Sequence, residues 1–196
     1  MTAASSRFSV SALVLMAGLA ICVAAPLAAQ AVSNTAEFEA WRKVQKQDID
    51  GLRDKFMALA KAVPADKHGW RPMEGSRSFH DVFAHVAAEG NTETAMFGGP
   101  LPAGSLADFD AEEARLRKLP DDQLIAAMDK SLQALSATLA GLSLDKMNTS
   151  ITYYGQPTLP RIATTYTLND LHEHLGQLVS YARMNQIVPP WSKKTG

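Results

Sequence analysis

Five imidazoles are the side chains in this sequence best equipped for chemistry: His68, His80, His85, His172 and His174. The single cysteine, Cys22, lies in an apolar stretch near the start, so a protein site further along must be built from imidazole and carboxylate. That donor chemistry suits Zn, Ni, Fe or Mn, with geometry selecting among them. A helix turns about 100° per residue, so residues four apart share a face and residues two apart point in roughly opposite directions. His172 and His174 therefore do not grip one ion from a regular helix, whereas Asp170 and His174 can. By the same rule Glu89 stands beside His85, one turn on, while His80 and His85 diverge by about 140°. Spacing thus points to His85 on one helix and His174 on another, with Asp170 able to join them. Gln177, one turn beyond His174, is placed to orient a ligand or hold a water, and Glu89 to support His85 from behind.

Each of these residues also has a plainer use. A histidine alone on a helix is more often a core or surface residue than a ligand. Asp170 follows Thr167, Leu168 and Asn169 and can simply favour the first turn of a helix. His68 reads as a structural loop residue, and His80 and His172 as exposed or outer hydrogen-bonding ones. Other chemistries lack their signatures: there is no phosphate-binding glycine loop, no G-x-S-x-G elbow and no H-E-x-x-H. The H-E-H at 172–174 has the wrong spacing for a zincin.

The elements that must carry these residues are helical. Hydrophobic residues make up 46% of the chain, normal for a globular protein, and the formal net charge of −1 offers no basic face to nucleic acid. Apolar positions at Phe38, Trp41, Val44, Ile49, Leu52, Phe56 and Leu59 predict a first helix from near Ala36 to Val63, stopped by Pro64. Ser76 or Ser78 caps a second, running to about Phe97 despite Gly90. A loop follows, with a short acidic helix near 110–118. A third helix begins at Pro120, with Asp121 and Asp122 at its positive end. Residues 143–160 read as irregular, with an extended piece at 151–154. A fourth helix runs from Ile162 or Thr167 to Met184, and Pro189-Pro190 closes the fold. Four long amphipathic helices with two long connections predict an all-α four-helix bundle with crossover connections. Facing helices in such a bundle project side chains onto a shared centre.

The first residues stand apart. Arg7 is the only charge before Glu37, the stretch from Phe8 to Ala25 is apolar, and Pro26 precedes the small-residue run ending Ala29-Gln30-Ala31. This order predicts a cleavable signal peptide over 1–31, a domain over 32–196, and a periplasmic or secreted product without stable membrane insertion. Cleavage would remove Cys22 and leave a thiol-free domain.

Three stretches resemble the DinB-like family of metalloenzymes. The first, HGWRPMEGSRSFHDVFAHVAAE at 68–89, carries Trp70-Arg71-Pro72, the helix start Ser78-Phe79, and His85 seven residues after that serine. The second, KLPDDQLIAAMDKSLQALSATLAGL at 118–142, resembles the family's third helix. The third, DLHEHLGQLVSYARMNQIVPPWS at 170–192, is similar to a histidine-x-Gly-Gln element and to the Tyr-x-Arg-x-Asn-x-x-Val-Pro-Pro ending of an exported branch. The resemblance implies a four-helix bundle holding a divalent metal on three ligands, one from the second helix and two, four apart, from the fourth. Carried over, the outer two are His85 and His174, and the middle position falls on Asp170 where the family has histidine. Aspartate is a competent ligand; His172 reaching in from a distorted helix is the weaker alternative. The resemblance also implies a homodimer and a thiol-dependent transferase or isomerase, in which the metal favours thiolate. Export sits poorly with a cytosolic thiol, and hydrolysis would use the same open coordination position. The reading is therefore an exported metal-dependent enzyme of transferase or hydrolase type with an unknown small-molecule substrate. The alternative is a non-catalytic periplasmic protein that binds a metal or small ligand.

Overall fold

A computed structural model describes residues 34–192. The chain divides into residues 1–31 and 32–196, and the expected signal peptide lies outside the described residues. Among the described residues no helix is long and apolar enough to cross a membrane.

Helix α1 spans Thr35–Ala62 and starts where Asn34 Oδ1 accepts from the backbone N–H of Ala36 at 2.9 Å. It buries Phe38, Ile49, Leu52, Phe56 and Leu59, each contributing roughly 1.5–3 kcal/mol when fully removed from water. It stops at Val63, whose extended backbone is the conformation a following proline demands. After a 3-10 turn at Ala65–Lys67 comes α2, Phe79–Met96. Ser78 Oγ accepts from Asp81 N–H, and the Asp81 carboxylate accepts from Ser78 N–H, closing a reciprocal cap. Helix α3 spans Phe109–Leu116 and α4 spans Asp121–Ala140, with Pro120 at the cap rather than inside the first turn. One short turn, α5 at Leu144–Met147, leads to strands β1, Ile151–Tyr153, and β2, Gln156–Thr158. The strands pair antiparallel with Tyr153 opposite Gln156. The two residues between them, Tyr154 and Gly155, have φ of 45° and 78°, the left-handed pair that a tight hairpin needs. The last long helix, α6, spans Pro160–Met184, and a 3-10 turn follows at Pro190–Ser192.

The long helices form a ring. α1 packs on α4 and α6, and α2 packs on the same two. α1 and α2, successive in the chain, thus stand diagonally, as do α4 and α6. The connections 63–78 and 141–159 therefore cross the bundle, as the long connections predicted.

α2 is the most enclosed helix. Beyond its apolar stripe of Val82, Phe83 and Val86, it buries Glu89, Asn91, Thr92, Glu93 and Thr94, because α3 and β1 cover it in addition to α4 and α6. Several buried polar groups find partners on those covers. Asn91 donates to Glu112 of α3 at 2.7 Å, and the Tyr153 hydroxyl donates to Glu93 at 2.7 Å. Gly90 belongs here for steric reasons. A Cβ at that position would lie 2.4 Å from Ser131 Oγ, and that hydroxyl already donates to the Ala87 carbonyl at 2.7 Å.

Candidate metal centre

α2 and α6 face each other, and each presents two candidate donors one turn apart. His85 and Glu89 come from α2; Asp170 and His174 come from α6. One donor atom from each of the four lies within 4.8 Å of all the others. The two imidazole rings are 4.6 Å apart between centroids and inclined by 74°. His174 Nε2 is 3.7 Å from Asp170 Oδ1.

Hydrogen bonds fix which nitrogen of each ring faces the centre. His85 Nδ1 lies 3.1 Å from Glu113 Oε1 of α3. An ionised carboxylate only accepts, so Nδ1 carries the proton and Nε2 keeps its lone pair. On the other side Gln177 Nε2 donates to the Tyr181 hydroxyl at 2.8 Å, which turns the amide oxygen toward His174 Nδ1 at 3.2 Å. His174 Nε2 is left as the free acceptor. Burial, followed by the nearby charges of Arg77 and His174, pushes the His85 pKa down against the opposing pull of Glu113. The neutral ring, the form that binds a cation, is thereby favoured.

The carboxyl pair is out of balance. Glu89 is only 3% exposed, and its Oε2 has no hydrogen-bond partner. Burial, then the hydrogen bond to Asp170 and the repulsion of Glu93, push its pKa up to about 11. The same hydrogen bond leads the lowering of the Asp170 pKa, with the two imidazoles and Arg77 assisting against burial. Glu89 is thus favoured in its protonated form and Asp170 in its ionised form. One turn along, Glu93 is raised to about 7, since burial outweighs hydrogen bonds from Tyr153 and Thr167.

These residues fit a divalent ion. Two imidazoles with inward lone pairs and two carboxyl groups make a borderline-to-hard donor set of the kind zinc and similar cations take. The orphaned Oε2 of Glu89 is the unsatisfied buried atom that such an ion would satisfy. Donors on opposite sides of one ion at about 2.1 Å lie about 4 Å apart, so a spread of up to 4.8 Å closes with small side-chain adjustments.

Of the residues singled out from spacing, His85, Asp170 and His174 come together, and Gln177 abuts His174. Glu89 lies inside the ring of donors instead of behind it. The first-turn role for Asp170 does not hold, because α6 begins at Pro160 and Asp170 sits near its middle. His172 points away: it is 48% exposed and meets Asp48 of α1 at 3.1 Å. α6 is regular there, so the two-residue offset from His174 turns that ring to the opposite side. His80 is not a free surface residue. Its Nδ1 is 2.6 Å from Asp121, and its Nε2 is 3.2 Å from the Arg117 carbonyl. His68, structural as expected, bonds the Val63 carbonyl and pairs with the same Asp121 at 2.8 Å. Spacing missed Glu113 and Arg77. Glu113 bridges His85, Arg117 at 2.8 Å and Arg77 at 3.7 Å. No periodicity links α3 to α2, so only the folded contact reveals this. A groove of about 320 Å³ lined by Phe97, Gly99, Thr138 and Leu142 lies past the C-terminal end of α2 and contains none of the four donors.

A family model described as the DinB superfamily matches residues 48–178, a span that includes all four donors. Among solved structures, a DinB-like protein from Bacillus cereus ATCC 10987 superposes with a TM-score of 0.58 at 13% identity, covering 71% of this chain and 89% of that one. A protein assigned to the DinB family from Exiguobacterium sibiricum 255-15 gives a TM-score of 0.56 at 19% identity, covering 79% and 95%. At such identities the likeness concerns the fold. No curated protein matches the chain.

Proposed function

The chain belongs to the DinB superfamily, and from that premise we propose that it holds a divalent cation on His85, Asp170 and His174 and works as an exported metal-dependent enzyme of transferase or hydrolase type. The observation that carries the reading is the convergence of donors from two helices on one point, with a buried carboxyl atom there that has no partner. A divalent ion in such a site supplies Lewis acidity, which activates a thiol or water nucleophile near neutral pH. The chain's own residues prepare the place. Glu113 and Gln177 hold the imidazole protons on the outer nitrogens, so neither ring need change tautomer when a cation arrives. Export is supported by the order of charged, apolar and small residues over 1–31.

The position of Glu89 favours a second reading. If its carboxylate joins the other three donors, the protein alone supplies a full tetrahedral shell, which is the pattern of closed sites. The protein would then be a non-catalytic binder of the ion.

Metal analysis of gently purified protein tests the proposal. About one equivalent of divalent metal in the wild type, lost in His174→Ala, is expected. No metal in the wild type, or full occupancy in His174→Ala, would overturn it. Ester, amide and thiol-transfer screens of the loaded wild type and of Glu89→Gln separate the two readings: a closed site gives no turnover in the wild type.

A further inference from the structure

Away from the metal centre, four helix ends meet at one carboxylate. Asp121 is the first residue of α4. Its Oδ1 lies 2.6 Å from Nδ1 of His80, in the first turn of α2, and its Oδ2 lies 2.8 Å from Nδ1 of His68, in the 63–78 connection. The second contact is too oblique for a regular hydrogen bond. The outer nitrogens of both rings also meet oxygens. His80 Nε2 is 3.2 Å from the carbonyl of Arg117, the C-cap of α3. His68 Nε2 is 3.2 Å from the carbonyl of Val63, the C-cap of α1. Burial opposes ionisation of Asp121, but the bonds from His80 and His68 outweigh it and hold that carboxyl below its ordinary value. Neither a carbonyl nor an ionised carboxylate can donate. Four ring nitrogens therefore face four acceptors. A neutral imidazole carries one proton, so each neutral ring would set a bare lone pair against an oxygen.

The geometry points to His68, Asp121 and His80 as a proton-dependent clamp, complete only when both rings are imidazolium, that locks the 63–78 connection and the end of α3 onto the starts of α2 and α4. The helix ends favour that state, since carbonyls at a helix C-terminus attract a cation. His68 is 6% exposed and packs edge-on against Phe83, so water has little room to replace a lost bond there. Backbone bonds carry the clamp into the connection: His80 N–H donates to the His68 carbonyl at 2.9 Å and Phe79 N–H to the Trp70 carbonyl at 3.2 Å. Among the described residues, Asp121 is the only carboxylate within ion-pairing distance of either ring. Asp66 and Lys67 of the connection, Lys118 after α3 and Asp122 of α4 make no ion pair with them. Arg117 turns its guanidinium to Glu113 and Asp81 instead. None of the three clamp residues belongs to the donor ring.

The test is thermal unfolding of the purified protein between about pH 5 and 8, for the wild type, His68→Gln, His80→Gln and Asp121→Asn. Protons that the fold holds and the unfolded chain gives up near pH 6.5 stabilise the fold fully below that value. The gain is then lost as pH rises through the point at which the folded rings release them. The wild type should melt above each variant by about 2–4 °C or more at the acid end, and the gap should shrink steadily above about pH 6.5. The donors of the metal centre are unchanged in every variant, so their own pH dependence cancels in the gap. Hydrogen exchange of the wild type needs no variant and serves if the variants do not fold: protection of residues 64–80, taken relative to α4, should fall over the same range. A gap that is absent or of constant size at every pH overturns the inference, because bonds to neutral rings would then suffice. Relative protection of residues 64–80 that stays level with pH overturns it as well. Either failure leaves the metal reading untouched.

Discussion

Replacing Glu113 with alanine should weaken divalent-metal binding while leaving the four donors in place. The carboxylate lies 3.1 Å from His85 Nδ1 and fixes both the tautomer and the direction of that ring. Its loss acts twice in the same direction. His85 becomes free to rotate or to move its proton to the inner nitrogen. Arg117 and Arg77 also lose the anion between them, which raises the positive potential at the cation's position. Outer partners of this kind change metal affinity by about 10–100-fold, equivalent to about 1.4–2.7 kcal/mol. Glu113→Gln separates the two effects, because its amide oxygen can still accept from Nδ1 while the charge is gone. The expected order of affinity is wild type, then Gln, then Ala. Competition against a chromophoric chelator at fixed pH measures it, and a thermal melt of each metal-free variant checks the fold. If the alanine variant binds as tightly as the wild type and melts at the same temperature, Glu113 does not orient His85, and the account of how the centre is held is wrong.

Other consequences are equally direct. His172→Ala should leave metal content untouched while His174→Ala abolishes it, since only the second ring faces the donors; loss in both would point to a distorted helix. If the Glu89 carboxylate joins the other three donors, cation binding at pH 7 should release about one proton in the wild type and close to none in Glu89→Gln, whereas a three-ligand site should release close to none in either; titrations in buffers of different ionisation enthalpy give the number. Gly90→Ala should destabilise the fold by roughly 1–3 kcal/mol, because the new methyl group displaces Ser131 Oγ from the Ala87 carbonyl; an unchanged denaturation midpoint would contradict the close packing of α2 on α4. Asp81 carries a pKa below its ordinary value: burial opposes the shift, but bonds from Ser78 and the charges of Arg117 and Arg71 outweigh it. Its stabilising effect should therefore be full above the unfolded-state pKa near 3.8 and fade as pH falls through the lower folded value; in Asp81→Asn that part of the acid unfolding curve should flatten.

Much of this arrangement was legible in the sequence because helical period converts directly into geometry. The four-residue steps from His85 to Glu89 and from Asp170 to His174 put each pair on one face, and the two-residue step removed His172. The resemblance to the DinB-like family then supplied what period cannot, namely that these two faces meet. Boundaries were harder. α6 begins at Pro160 rather than at Ile162 or Thr167, and this places Asp170 well inside the helix. The 151–158 hairpin showed only its first half, since Gln156-Pro157-Thr158 has no strand-like composition and is held by pairing alone. Glu113 and Arg77 were invisible because their roles depend on where a short helix and a loop come to rest, and no spacing rule connects them to His85.

The placement of the donors also bears on how the protein is made. His85 and Glu89 occupy the second long helix and Asp170 and His174 the last, and these neighbours in space are separated by about half of the described residues. A polypeptide still being synthesised holds only the first pair until its final segment emerges. The four donors therefore come together only once α6 has emerged, and a product truncated before Asp170 carries just two of them.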